Sequence, residues 1–270
     1  FIFMGLLAVW LFIRGSKNLS IGIILFSIFF YFGLTNMPWL PLILIYGLIG
    51  YKIGGLSLAL SIILGLSFIT LTGVLPQALL SIYLCGIAVI VSFLIGSSLG
   101  IWAAHNDRVS AFMRPINDTM QTMPSFVILI PFVMIFKIGE FTALLAIIAY
   151  AFVPAMRYTE HGLRNLPETV VEAAKMIGCS KSQLLWKVKI PLAFPVIMLG
   201  LNQTIMFGLA MLVIAALVGT TGLGQLIYIG LSKANFGLGM IAGVSIAIIA
   251  ILFDRVTQAL KIKLEKNYNR

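Results

Sequence analysis

The 270 residues are 61% hydrophobic and 10% charged, with a mean hydropathy of +1.10. A water-soluble domain carries about 25% charged and about 45–50% apolar residues, so a soluble globule, a disordered chain and a fibrous one are all excluded, and the bilayer is the solvent that fits. The formal charge of +10, from 18 basic and 8 acidic residues, would suit nucleic acid in a soluble protein; in a membrane chain the question is where the basic residues fall.

A helix needs about 20 apolar residues to cross the hydrocarbon. In chain order the apolar runs are Phe1–Ile13, Leu19–Leu34, Pro38–Tyr51, Leu56–Leu71, Gln77–Ala104, Met123–Phe136, Phe141–Met156, Pro191–Leu217 and Leu238–Phe253. Phe1 stands inside an apolar run, so the first helix is expected to be truncated, and no basic stretch precedes it as in a secretory signal. Pro38–Tyr51 is short enough for a re-entrant piece. None of the runs alternates with period two, and open sheet edges cannot exist in lipid, so the prediction is an all-α, polytopic transmembrane bundle of about 7–9 spans. Gly96 and Gly100 form a GxxxG pair, expected to let two helices approach closely.

Placing Arg157–Lys189 on the cytoplasmic side puts 16 of the 18 basic residues there, leaving only Lys137 and Lys233 opposite. That asymmetry predicts a cytoplasmic C-terminus and explains the net charge without nucleic acid. Aromatics in 26–39 read as an interfacial belt. Cys85, Cys179, His105 and His161 form no CxxC, Cys/His or HExxH pattern, so no metal is expected.

The polar segment 157–191 carries most of the information. Pro167 suits a first helical position and Glu168 the positive end of the dipole. Val170, Val171, Ala174 and Ile177 make one apolar face. Gly178 stands where a left-handed cap favours glycine, and Ser180 with Gln183 forms a capping box for a second short helix. Pro191 ends that helix or hands it to the next span. Ala173 and Ala174 permit close approach. Two explanations stay open on these grounds: a loop lying on headgroups through Lys175, Lys181, Lys187 and Lys189, or a docking site for a cytosolic protein.

Glu172-Ala173-Ala174, three residues, Gly178, nine residues and Val188-Lys189-Ile190-Pro191 resemble the EAA loop of ABC-importer permeases. Val188 and Ile190 stand where Ile and Leu are usual. Segments 120–127, 200–204, 222–225 and 254–258 are similar to the glycine betaine/proline betaine permeases, and the resemblance runs from about Pro38 to Leu260. It implies a type I ABC-importer permease fold in the inner membrane, with peripheral helices over 1–35, a permease domain over 36–260 whose coupling loop is 157–190, and a basic cytoplasmic tail over 261–270. It implies an ATP-binding cassette subunit holding ATP and Mg, an extracytoplasmic substrate-binding protein and a second permease copy as partners. The implied solutes are glycine betaine, proline betaine, choline or related methylated amines.

No GxxxxGK[ST] phosphate loop and no catalytic constellation occurs, so the chain is expected to be no enzyme and to hold no cofactor of its own. No acidic residue falls in the middle of a predicted span, where gradient-driven carriers commonly keep one. Sodium held by backbone carbonyls leaves a stand-alone carrier or channel as the alternative. Asn202, Gln203, Gln121 and Ser125 are candidate lining of a translocation path, against simple interhelical hydrogen bonding. Thr221, Gly222, Gly224 and Gln225 are a candidate outer gate, against a plain loop.

Overall fold

The computed structural model describes residues 38–268, and its elements are all helical. The predicted spans Phe1–Ile13 and Leu19–Leu34 lie outside the described residues. In order the helices are α1 (Trp39–Leu71), α2 (Leu75–His105), α3 (Asp107–Thr122), α4 (Ser125–Phe136), α5 (Glu140–Arg164), α6 (Glu168–Met176) and α7 (Lys181–Gln183). A π turn (Leu184–Lys189) leads into α8 (Ile190–Ala215), followed by a 3-10 turn, α9 (Leu223–Ser232) and α10 (Phe236–Tyr268).

Five of these elements are long and apolar enough to cross a membrane, six if α3 and α4, which meet at a 102° bend, are taken as one broken span. The count of 7–9 spans is therefore not reached among the described residues. One reason is α1. Pro38–Tyr51 and Leu56–Leu71 are joined in one element, broken at Gly55 (φ 75°, ψ −163°). A side chain on Gly47 would meet Ile63, and one on Gly50 would meet Ile62. In a straight helix those pairs would lie about 24 and 18 Å apart. α1 is thus a hairpin with arms of about 24 Å, shorter than the roughly 30 Å of hydrocarbon. Its turn docks on α10, where Lys263 Nζ donates to the Lys52 carbonyl at 2.8 Å.

The core is built from α2, α5 and α8. Ala88, Ala143, Ala146, Ile147, Met211, Leu212 and Ala215 are all essentially inaccessible. The predicted close approach at the GxxxG pair occurs against α5: a Cβ on Gly96 would stand 2.5 Å from the Phe152 carbonyl oxygen, and one on Gly100 2.6 Å from that of Met156. Helices in lipid gain little from hydrophobic transfer between themselves, so contacts of this kind, made by small residues, hold them together.

Candidate functional site

The loop after α5 is built by its own local chemistry. Pro167 is the N-cap of α6, one place earlier than its predicted first helical position. α6 ends in a Schellman turn: the Gly178 amide donates to the Lys175 carbonyl at 3.0 Å and the Cys179 amide to that of Ala174 at 3.2 Å. Gly178 has φ 85°, a left-handed conformation that a residue with a Cβ resists. Ser180 then caps α7, its hydroxyl accepting from the Gln183 amide while the Gln183 side chain accepts from the Ser180 amide. Pro191 does not end the second helix. It lies at the first positions of α8, and the π turn before it passes the helix on without a break.

The predicted apolar face of α6 is divided. Ala174 is buried and Val171 half-buried, whereas Val170 points outward and Met176 and Ile177 are 90% and 83% exposed. The reason is geometric: Ile177 lies in the terminal turn and no longer follows the helical stripe. Glu172 and Ala173 are exposed, while Val188, Ile190 and Pro191 are half-buried. Trp186, 64% exposed, adds a further apolar side chain. Val170, Met176, Ile177 and Trp186 are thus large apolar side chains left exposed on this loop.

The four candidate path residues are not brought together. Asn202, in the middle of α8, donates to Asp254 Oδ1 at 2.8 Å and accepts from the Thr257 hydroxyl at 2.7 Å, while Gln258 donates to Asp254 Oδ2 at 2.7 Å. Asn202 thereby ties α8 to α10 and lines a recess of about 250 Å³ with Met198, Leu199, Thr257, Gln258, Lys261 and Ile262. Gln203 beside it is half-buried and has no hydrogen-bond partner among the described residues. Gln121, at the end of α3, accepts from Arg157. Ser125, half-buried, opens α4 just past the bend.

The candidate gate is a tight corner. Thr221 donates to Glu140 at the start of α5. The Leu223 amide donates to the buried Ser81 hydroxyl at 2.8 Å, and a Cβ on Gly222 would collide with that oxygen at 2.5 Å. Gly224 fits against the Leu212 carbonyl, and Gln225 is half-buried.

Sequence reasoning missed the ionic side chains at the loop end of the bundle. Arg157 pairs with Asp118, and Arg164 pairs with Asp107 at 2.8 Å and with Glu160 at 3.0 Å. The Glu160–Arg164 spacing of four was a visible helical signal; the other partners lie 39 and 57 residues apart and had none. Arg157, Asp118, Glu160 and Arg164 line an open recess of about 620 Å³ that also touches Arg114, Asn117, Tyr158, His161 and Asn165. Among the described residues no three His, Cys, Asp or Glu side chains gather as a metal would require.

Residues 96–266 match the family model described as binding-protein-dependent transport system inner membrane component. The chain is 39% identical over 226 residues to the glycine betaine/proline betaine transport system permease protein ProW of Escherichia coli K12, covering 84% of this chain and 64% of the relative. It is 37% identical to the glycine betaine transport system permease protein OpuAB of Bacillus subtilis 168, covering 88% of this chain and 84% of the relative. It is also 44% identical to the trimethylamine N-oxide transport system permease protein TmoV of Pelagibacter ubique, over 80% of this chain and 30% of that longer protein. The chain thus spans less than two thirds of the length of the E. coli and Pelagibacter relatives. In fold it is similar to an inward-facing MetNI methionine ABC transporter structure, with a TM-score of 0.62 and 19% identity over 68% of this chain and 93% of that one. A match over more than half of the chain, with a relative aligned over most of both lengths, makes it a multi-pass membrane protein of the binding-protein-dependent transport system inner membrane component family.

Proposed function

We propose that the chain is the membrane-spanning permease subunit of an ATP-driven importer for small quaternary-amine or zwitterionic solutes such as glycine betaine, proline betaine, choline, carnitine or trimethylamine N-oxide. The observation that carries this reading is the loop from Pro167 to Pro191. Two short helices, fixed at a set angle by a Schellman turn and a capping box, hold Val170, Met176, Ile177 and Trp186 out from the bundle beside Glu172 and Ala173. Such a surface suits a partner that pushes on it. The partner is a separate ATP-binding cassette subunit holding ATP and Mg; this chain does no covalent chemistry. The solutes in the names of the relatives support the substrate class.

In this reading the importer contains a second permease copy and receives solute from an extracytoplasmic binding protein. The loop and the C-terminus face the cytoplasm. Support for that orientation is that 16 of the 18 basic residues fall on the side of the loop, as the positive-inside rule requires, with Lys263 held at the Lys52 carbonyl in the turn of α1 and Arg164 at the Ala103 carbonyl near the end of α2. The basic tail from Lys261 continues α10. ATP-driven closure of the partner subunits moves α6 as a lever and alternates access between the two sides. Gln203, which has no hydrogen-bond partner among the described residues, lines the path beside Asn202, and Gln121 and Ser125, on either side of the α3–α4 bend, border a different stretch of it. Thr221, Gly222, Gly224 and Gln225 form the outer corner that must shift when that side opens.

The test is purification of the wild type, Gly178→Val and Ala173→Trp from cells that express the ATPase. The wild type brings the ATPase with it. Gly178→Val misdirects the turn and Ala173→Trp blocks approach, so both lose co-purifying ATPase or solute-stimulated hydrolysis while inserting normally. Wild-type recovery and coupling in both variants would make the stand-alone carrier the better account.

A further inference from the structure

α5 leads directly into the loop, since only residues 165–167 separate Arg164 from α6. What α5 grips therefore decides where a push on the loop goes. On two sides it is locked. Gly96 and Gly100 of α2 leave no room for a side chain against its backbone, and a Cβ on Gly200 of α8 would stand 2.8 Å from Tyr158 Cβ. Close-packed surfaces of this sort have low compressibility and transmit strain, so a push on α5 is passed to α2 and α8.

The third side, toward α3, is of another kind. The only buried residues of α3 are Ser110 and Asn117, both polar. The Ser110 hydroxyl donates to Glu160, and Asn117 Nδ2 lies 3.4 Å from Met156 Sδ. Asp107 and Asp118 stand about three turns apart on α3, and each holds one of the two arginines of α5, themselves about two turns apart. The recess of about 620 Å³ opens between the helices, and Asn117 Oδ1, on its lining residue, is buried without a partner among the described residues. α3 turns through 102° into α4, which buries only Ile128 and Leu129. The elbow is therefore lightly held on its far side.

We infer that Arg157 and Arg164 are positioning residues that transmit movement of the loop to the α3–α4 elbow. The joint is polar and has free volume, so α3 follows α5 through charge pairs and not through shape. The inference rests on the reading of 157–191 as the docking loop. Exposed ion pairs contribute little to stability, and Arg157 and Asp118 are 39% and 63% exposed. Breaking that pair should change coupling and leave the fold in place.

The experiment uses the full chain with its ATPase and binding-protein partners in proteoliposomes, with radiolabelled glycine betaine as solute, and reads solute taken up per ATP hydrolysed. Arg157→Asp and Asp118→Arg each lower that ratio by about ten-fold, within the usual range of coupling energies. The double variant Arg157→Asp with Asp118→Arg restores at least half of it. Should either reversal fail to assemble, Arg157→Gln is read in the same way and shows a smaller loss. An unchanged ratio in the single variants, or a double variant that assembles without recovering, overturns the inference. Failure of the wild type to bring down an ATPase would instead strike the docking-loop reading, which keeps the two outcomes distinct.

Discussion

The two interfaces of α5 differ in what holds them. Toward α2, glycines bring backbone against backbone, with carbonyl oxygens 2.5 and 2.6 Å from where a Cβ would be. Toward α3, the buried residues are a serine and an asparagine, and the grip is ionic. The first is held by close fit and dispersion. The second meets α5 at the same height, since Met156 and Glu160 face both Gly100 and α3, but through polar groups and charges. One helix thus carries a close-packed contact on one face and a polar one on another.

Substitutions should separate these kinds of contact. The largest loss is expected for Gly100→Leu, because the obstructing atoms are the Met156 carbonyl oxygen and the Thr159 Cβ, which cannot swing aside. Overpacking costs about 1–3 kcal/mol and occasionally more, and a thermal unfolding scan in detergent should show a marked drop. A wild-type midpoint would mean that α2 and α5 are not locked.

Next in size comes Asn202→Leu, which leaves the half-buried Asp254 and Thr257 without their partner across the α8–α10 contact; losing a buried partner costs about 1–3 kcal/mol. Gln203→Leu should cost little stability, since no bond is broken, yet should reduce uptake per assembled complex if the side chain lines the path. The reverse pattern, stable Asn202→Leu and unstable Gln203→Leu, would exchange their roles. The smallest effect is expected for Asp107→Asn: its carboxylate is 92% exposed, and such pairs contribute about 0–1 kcal/mol, so the midpoint should not move measurably.

The loop was legible in the sequence because its determinants are local. Gly178, Ser180 and Gln183 lie within five residues of one another, and their hydrogen bonds form where the spacing placed them. The helical character of the spans was legible for the same reason, through continuous apolar runs. The span count was not. Lys52, Gly54 and Gly55 do mark the break at which the chain folds back between two apolar arms, but apolar length alone does not say whether arms of about 24 Å cross the hydrocarbon. Nor was the polar end of the bundle, since Arg157 and Arg164 meet carboxylates whose proximity depends on how α3 bends away from α4. Asp254 marked the end of an apolar run, yet α10 continues past it and turns its carboxylate to Asn202.

The most direct measurement is solute uptake into proteoliposomes that hold the chain, its ATPase and its binding protein, with ATP supplied on the ATPase side and all ion gradients collapsed. Accumulation of radiolabelled glycine betaine that requires ATP and stops when hydrolysis is blocked is the predicted result. Uptake by the chain alone, driven by a sodium or proton gradient and indifferent to ATP, would contradict it.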